Sequence, residues 1–168
     1  MAKLRPTKDE YFLAIACVVS IRGTCSRRQV GAIAVRDGRI LATGYNGSPP
    51  GAKHCHHEDY AAPFEDQDLH LVAGRWSCSR AVHAEMNVIA YAARYGASLE
   101  GAAVYCNTYP CYGCAKAMVS AGVVAVLFES DYVNDPLVTQ LCEETGLVIK
   151  KVADDTGTER TPTGAGGG

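Results

Sequence analysis

Residues 102–129, AAVYCNTYPCYGCAKAMVSAGVVAVLFE, carry the pattern that decides the fold of this chain. The apolar run at 102–107 predicts a strand, and residues 111–121 predict a helix that ends at Gly122. A second apolar run at 123–129 predicts the next strand. Because a strand, a helix and a strand in this order form a crossover, the stretch predicts two neighbouring parallel strands in an α/β domain.

The same alternation extends outward from this stretch. Further helices are predicted over residues 8–21, 81–95 and 136–144. Further strands are predicted over residues 30–36, 39–43 and 147–152, the first two separated by Asp37-Gly38, a pair that favours a hairpin. We therefore expect an α/β fold of three layers, α/β/α, with a central five-stranded mixed sheet.

Composition bounds the class of protein. The chain has 168 residues, 48% hydrophobic and 20% charged, which suits a single domain that we place at residues 1–153. Residues 154–168 lack an apolar anchor and are expected to form a disordered tail. The sequence has neither an apolar run of about 18 residues nor a signal-peptide segment, so we expect a cytoplasmic protein without a membrane partner. The net charge of −2 disfavours a polymeric nucleic-acid partner.

Eight cysteines and five histidines indicate a metal site rather than disulfides. His83 begins one predicted helix, and Cys111 and Cys114 lie one turn apart at the start of the next, so these residues provide ligands suited to zinc. Three protein ligands leave one tetrahedral position for water, whose pKa zinc lowers. Glu85 is two residues beyond His83 and is expected to transfer protons rather than bind metal. The pattern His-x-Glu followed by Pro-Cys-x-x-Cys, which begins at Pro110, is typical of zinc-dependent nucleobase deaminases.

Residues 10–152 resemble the deoxycytidylate (dCMP) deaminases of the cytidine deaminase superfamily. The resemblance is carried by three segments: Gly44-Tyr45-Asn46-Gly47-Ser48-Pro49, His83-Ala84-Glu85-Met86-Asn87 and Tyr109-Pro110-Cys111-Tyr112-Gly113-Cys114-Ala115-Lys116. It implies the cytidine-deaminase-like fold and a hydrolase acting on cyclic amidines, which converts dCMP to dUMP and ammonia for thymidylate synthesis. It also implies a homo-oligomer, a hexamer, that dCTP activates and dTTP inhibits, with Mg²⁺ accompanying the triphosphate.

The resemblance also implies roles for individual residues around the cytosine ring. Glu85 would donate a proton to the ring nitrogen and carry a second proton to the leaving ammonia. Backbone groups around Ala84 and Pro110 would bind the exocyclic amine and the ring carbonyl. Tyr109 would pack on the base, and Asn46 would hydrogen-bond the sugar.

Phosphate and effector roles follow from the same resemblance. Arg27 and Arg94 occupy positions similar to 5′-phosphate contacts, where a guanidinium group matches phosphate geometry, although either could be a surface cation. Asn107 stands where many members have threonine, and no role is assigned to it. The turn that resembles the effector-binding site, or else is a plain loop, consists of Gly44, Tyr45, Asn46 and Gly47.

Cys25, Cys55 and Cys78 lie outside the catalytic pattern. Viral and bacterial members of the family often hold a second, structural zinc with cysteines at similar positions, and His57 or His70 would be the fourth ligand. Such a site would order the insertion at residues 44–80, which is too long for an ordinary loop. The alternative is three buried thiols.

Other functions share part of this pattern. A deaminase of another cytosine or modified cytosine nucleotide would use the same zinc residues, and a nucleoside deaminase would not need Arg27 or Arg94. A tRNA or single-stranded-DNA deaminase would be expected to have a more basic surface and to lack the segment at 44–49. A binding module with a structural zinc would need neither Glu85 nor an open coordination position.

Overall fold

The computed structural model of the protein describes residues 5–55, 69–72 and 75–152. The helices are α1 (Lys8–Ser20), α2 (Ala84–Tyr95), α3 (Tyr112–Ser120) and α4 (Pro136–Thr145). The strands are β1 (Gly31–Arg36), β2 (Arg39–Tyr45), β3 (Leu69–Val72), β4 (Arg75–Cys78), β5 (Ala103–Thr108), β6 (Ala125–Ser130) and β7 (Val148–Lys151). Within these described ranges, no helix is both long and apolar enough to cross a membrane.

Five of the strands, all except β3 and β4, form one sheet in the order β2-β1-β5-β6-β7. Strand β1 is antiparallel to both β2 and β5, whereas β5, β6 and β7 are parallel to one another. Asp37 and Gly38 form the hairpin turn with φ values of 53° and 72°, as the Asp-Gly pair predicts. The expected mixed five-stranded sheet is confirmed.

Helices cover both faces of the sheet, because alternate residues of its strands face opposite sides. On one face, Phe12, Leu13 and Ala16 of α1 pack on Ile33 and Tyr105. On the other face, α2 and α3 cover the remaining alternate positions, and α4 packs beside α3. Both central strands, β1 and β5, are therefore buried on two sides, which explains their nearly continuous apolar sequence. The three-layer α/β/α arrangement is confirmed.

Local signals set the helix ends closely. Thr7 and Glu10 form the predicted capping box: the Thr7 hydroxyl accepts from the Glu10 amide at 3.2 Å, and the Glu10 carboxylate accepts from the Thr7 amide at 2.6 Å. Helix α2 begins at Ala84, later than the expected residue 81, because His83 has extended dihedral angles and occupies the N-cap.

The insertion contains a hairpin that the sequence pattern did not predict. Strands β3 and β4 pair antiparallel, with Leu69 opposite Cys78 and Val72 opposite Arg75. Two strands of four residues, set among Gly, His and Asp, are too short to give a recognisable period, which is why no strands were predicted here. His57 and the expected tail at 154–168 lie outside the described residues.

Candidate active site

The predicted metal ligands come together where two helices begin. His83 is the N-cap of α2, and Cys111 is the N-cap of α3, which follows β5 directly. The Nδ1 atom of His83 lies 3.5 Å from Sγ of Cys111 and 3.4 Å from Sγ of Cys114. The Cys111 sulfur also accepts a hydrogen bond from the Cys114 backbone amide at 3.5 Å. These three side chains thus form a compact cluster, which we call the catalytic cluster.

The catalytic cluster has the spacing that a zinc ion requires. With Zn–N near 2.0 Å and Zn–S near 2.3 Å, tetrahedral angles place nitrogen and sulfur ligands about 3.5 Å apart. The two observed nitrogen–sulfur distances, 3.5 and 3.4 Å, match this value. The two cysteines also lie at a helix N-terminus, where the backbone dipole favours thiolates. His83, Cys111 and Cys114 therefore fit zinc in both donor type and geometry.

The protonation of the two thiols depends on their mutual contact. A hydrogen bond from the Cys114 thiol lowers the pKa of Cys111 to about 4, whereas the same bond and burial raise the pKa of Cys114. The hydrogen bond to Cys111 also raises the pKa of His83. The sulfur atoms of Cys111 and Cys114 lie within 4.8 Å of each other, and two thiolates so close together repel. The pair by itself therefore keeps a proton, and a divalent cation allows both thiols to ionise.

Glu85 lies beside the catalytic cluster, in the first turn of α2, and only 5% of it is exposed. Burial raises the pKa of its carboxyl group, since the charged form loses hydration there. A carboxyl group with a raised pKa can hold a proton at a pH at which an exposed glutamate cannot. This is the property that a proton-transferring group needs.

Gly44 sets how closely α2 approaches the sheet. A Cβ atom at this position would lie 2.4 Å from the Ala84 carbonyl oxygen and 2.6 Å from the Val88 amide nitrogen. The first turn of α2 therefore rests directly on the β2 backbone. Asn87 adds a hydrogen bond from its side-chain amide to the Tyr45 carbonyl oxygen at 2.7 Å. The absence of a side chain at Gly44 thus fixes the place of Glu85.

The segment that carries the predicted phosphate contact Arg27 lies at the same edge of the sheet, since β1 begins where β5 ends. Arg27 and Arg28 are both half-buried, and the Arg28 guanidinium lies 4.4 Å from the centre of the Tyr132 ring. Burial and the Glu85 charge raise the pKa of the Cys106 thiol, and the Arg28 charge acts against this increase. Sequence reasoning did not identify Tyr132, because 104 residues separate it from its partner.

Three of the predicted substrate contacts are buried around the site. Ala84 and Pro110 are fully buried and can offer only backbone groups to a substrate. The ring of Tyr109 is 7% exposed and packs edge-on against Phe128, 5.0 Å between ring centres, in an apolar cluster with Val138. That ring is part of the core, and its predicted packing on the base stays a prediction.

Arg94 is the predicted phosphate residue that the structure does not bring to the catalytic cluster. It is exposed in the last turn of α2, ten residues beyond Ala84 and about 15 Å along the helix. Its guanidinium lies 5.9 Å from the Tyr95 ring centre. The role of Arg94 as a phosphate contact stays a prediction.

A second cluster contains the predicted structural cysteines. The sulfur atoms of Cys25, Cys55 and Cys78 all lie within 4.8 Å of one another. Burial and hydrogen bonds with the other two thiols raise the pKa of Cys55 to about 12. Of the two candidates for a fourth ligand, His70 lies in β3 with its backbone opposite Ser77. Three convergent sulfur atoms are a donor set that suits zinc, and we call them the structural cluster.

A cleft of about 450 Å³ lies beside the predicted effector turn. Its lining includes Gly44, Tyr45 and Gly47 of that turn. Ser48 also lines it, and the Ser48 hydroxyl is buried with no hydrogen-bond partner among the described residues. The fourth residue of the turn, Asn46, uses its side chain elsewhere: its amide donates to the Arg28 carbonyl oxygen at 2.7 Å.

Comparisons with known proteins agree with this geometry. The model of the cytidine and deoxycytidylate deaminase zinc-binding region matches residues 6–130. ComE operon protein 2 of Bacillus subtilis (strain 168) is 36% identical over 147 residues, which cover 88% of this chain and 72% of that protein. The deoxycytidylate deaminase of Mycobacterium phage D29 is 37% identical over 131 residues, which cover 76% of this chain and 98% of that protein.

A solved structure gives the same result. The crystal structure of dCMP deaminase from the cyanophage S-TIM5 in complex with dCMP and dUMP superposes with a TM-score of 0.70 at 28% identity. The match covers 89% of this chain and 100% of that one. Both the predicted resemblance and the predicted fold are thereby confirmed. The chain belongs to the zinc-binding cytidine and deoxycytidylate deaminase family and is a deaminase, a hydrolase that acts on C–N bonds.

Proposed function

We propose that this protein catalyses the hydrolytic deamination of dCMP to dUMP and ammonia. The observation that carries the proposal is the buried Glu85 carboxyl group beside three side chains with zinc-ligand spacing. The substrate is supported by two similar proteins, a deoxycytidylate deaminase at 37% identity and a dCMP deaminase structure that holds dCMP and dUMP. The half-buried arginines at the same edge of the sheet supply the positive charge that a nucleotide requires.

The chain's own residues account for the proton transfers. Zinc held by His83, Cys111 and Cys114 would supply the acidity that makes water a nucleophile near neutral pH. Glu85 accepts the proton that water loses and donates it to cytosine N3 while oxygen bonds to C4. Glu85 then takes the proton of the new C4 hydroxyl group and gives it to the amine, so that the C4–O double bond of dUMP forms as the C4–N4 bond breaks and ammonia leaves. Burial of Glu85 keeps water from competing for these protons.

Recognition of the nucleotide divides between two parts of the site. Backbone groups near Ala84 and Pro110 bind the exocyclic amine and the ring carbonyl. Arg27 and Arg28 bind the 5′-phosphate, because guanidinium groups form paired, charge-assisted hydrogen bonds with phosphate oxygens. Asn46 hydrogen-bonds the sugar through the side-chain donor and acceptor positions that its bonds to the backbone leave unused.

A substrate panel tests this proposal. Ammonia release by the zinc-loaded protein is measured with dCMP, deoxycytidine, CMP, a 5-methylated dCMP and a single-stranded oligonucleotide. We expect dCMP to exceed deoxycytidine by about tenfold to a hundredfold in kcat/KM, which is the range of a charge-assisted phosphate contact. Release of ammonia from the oligonucleotide but not from dCMP would reject the proposal.

We propose that the structural cluster holds a second zinc ion with His57 or His70 as the fourth ligand. The three cysteines come from segments that are distant in the sequence, so one ion would tie two points of the insertion at 44–80 to the segment before β1. Metal analysis of the pure protein tests this: two zinc ions per chain support the site, and one ion per chain rejects it.

We propose that dCTP activates and dTTP inhibits the enzyme through the cleft beside residues 44–48, with Mg²⁺ accompanying the triphosphate. The cleft volume and the unpartnered Ser48 hydroxyl support a ligand there. The glycines themselves do not, since Gly44 is explained by its contact with α2, and a Cβ at Gly47 would lie 2.3 Å from the Thr24 hydroxyl. Initial rates across a dCMP titration test this, because a hyperbolic curve unchanged by either triphosphate would reject regulation.

The remaining features follow the family resemblance and are proposals of the same kind. They are a homohexamer in the cytoplasm, a catalytic domain at residues 1–153, and a role in supplying dUMP for thymidylate synthesis. Light scattering of the pure protein tests the assembly, since a hexamer has a mass near six times 17.8 kDa.

A further inference from the structure

Two asparagine side chains form hydrogen bonds with the backbone of the segment that leads into β1. In the β1–β5 register Ala32 lies opposite Cys106, so the next pair would be Gly31 and Asn107. At that point the backbones no longer bond to each other. Instead the Asn107 side-chain oxygen accepts from the Gly31 amide at 3.0 Å, and its side-chain nitrogen donates to the Gln29 carbonyl oxygen at 3.2 Å.

Asn46 holds the segment from the opposite side, where its backbone amide also donates to the Val30 carbonyl oxygen at 2.9 Å. Its side-chain oxygen accepts from the Val30 amide at 2.8 Å, and its side-chain nitrogen donates to the Arg28 carbonyl oxygen at 2.7 Å. Four consecutive residues, 28–31, are thus each held by one hydrogen bond to a side-chain amide. We call Asn46, Asn107 and these four bonds the amide clamp.

A third contact limits the segment from the helix side. A Cβ atom on Gly31 would lie 2.2 Å from the Ala16 carbonyl oxygen and 2.4 Å from the Ser20 amide nitrogen, so α1 rests directly on this residue. The segment that leads into β1 is therefore fixed from three directions. Arg27 and Arg28 extend from it, at the edge of the sheet where β5 leads to Cys111.

The type of bond in the clamp favours a positioning role over a stabilising one. Asn107 is half-buried, and water could satisfy the same backbone groups at little cost in stability. An amide group, however, donates and accepts in one plane, so it fixes the direction of two neighbouring peptide groups at once. The guanidinium groups that start from these peptides are fixed with them.

We propose that Asn107 is a positioning residue for phosphate recognition, which acts by holding the segment that bears Arg27 and Arg28. This inference rests on the function proposed above, in which those arginines bind the 5′-phosphate.

The test compares Asn107→Ala with the unchanged protein on two substrates, dCMP and deoxycytidine. The second substrate lacks the phosphate, so it reports on everything in the site except phosphate recognition. We expect KM for dCMP to rise about tenfold with kcat within about twofold, and kcat/KM for deoxycytidine to stay within about twofold. Gln140→Ala is the matched control, because Gln140 is an exposed amide on α4 whose side chain, among the described residues, bonds Glu144 of its own helix at 2.8 Å.

A second pair of variants separates positioning from general damage. In a background that carries both Arg27→Ala and Arg28→Ala, Asn107→Ala should cost less than about twofold on dCMP, because its effect passes through these two arginines. Asn107→Thr, which keeps one hydroxyl for one of the two bonds, should lie between Asn107→Ala and the unchanged protein. It also replaces Asn107→Ala if that variant does not fold.

Each other outcome overturns the inference. Equal losses on dCMP and deoxycytidine would make Asn107 a merely structural residue, and no change on dCMP would give it no role. Additive losses in the background that lacks both Arg27 and Arg28 would separate Asn107 from the arginines. If the unchanged protein does not prefer dCMP over deoxycytidine, the phosphate part of the proposed function fails first, and the inference fails with it.

Discussion

The catalytic and structural clusters use the same kind of side chain but are built differently. His83, Cys111 and Cys114 stand at the first turns of two helices that the sheet holds side by side. The structural cluster instead joins a residue before β1 to two residues of the insertion, one of which is the last residue of β4. The first arrangement exists because the fold exists, whereas in the second the metal would itself join distant parts of the chain.

The surroundings of the two clusters differ as well. Glu85 is buried beside the catalytic cluster, while in the described part of the chain the group around Cys55 consists of cysteines alone. We therefore propose that the helix-borne catalytic cluster, with its buried carboxyl group, serves chemistry, and that the structural cluster serves to order the insertion.

The strongest test of this comparison removes one ligand from the catalytic cluster. Cys111→Ser should reduce ammonia release from dCMP to background and lower zinc content by one ion per chain, because serine is a poor zinc ligand. Circular dichroism is the control, since the fold should persist. Near-normal turnover in Cys111→Ser would contradict the assignment of this cluster to catalysis.

The next largest effect is expected for Glu85→Gln. Glutamine keeps the shape of the side chain but cannot transfer protons, so turnover should fall by about 10²–10⁴-fold. Zinc content should stay the same, because Glu85 is not a ligand in this account. Retention of more than about a tenth of normal activity would reject its role, since general acid–base groups contribute more than that.

A smaller loss is expected where the fold only places Glu85. Gly44→Ala would put a methyl group within 2.4 Å of the Ala84 carbonyl oxygen and push away the first turn of α2. We expect turnover to fall about tenfold to a hundredfold, since a displacement of about 1 Å has effects of this size. The measurement is kcat at full zinc loading. Unchanged kcat would show that α2 tolerates displacement.

The smallest effect on turnover is expected at the structural cluster. Cys55→Ser should lose one zinc ion and lower Tm by roughly 5–10 °C. For a chain of this size, that shift corresponds to a loss of about 2–3 kcal/mol in the free energy of unfolding. We expect kcat to stay within about twofold. Calorimetry and metal analysis on the same sample check this. Loss of activity equal to that of Cys111→Ser would remove the distinction between the two clusters.

Sequence patterns predicted those features that depend on neighbouring residues. The capping box at Thr7 and Glu10, the Asp37-Gly38 hairpin and the strand–helix–strand order at 102–129 are all local, and each is confirmed. The zinc residues and Glu85 were identified because the chemistry requires fixed spacings within two short motifs.

What the sequence did not predict depends on contacts between distant segments. Arg28 meets Tyr132 across 104 residues, and Asn107 bonds Gly31 across 76 residues, so no local period indicates either pair. The same holds for the burial of Tyr109 against Phe128, which follows from the packing of α4. Strands β3 and β4 were missed because each has only four residues.

The central claim is that zinc at His83, Cys111 and Cys114, together with Glu85, deaminates dCMP. The most direct measurement is ammonia release from dCMP by one protein sample before metal removal, after removal by a chelator, and after zinc is returned. We predict full activity, then loss to background, then recovery in proportion to the zinc that rebinds. Undiminished release of ammonia from metal-free protein would contradict the account.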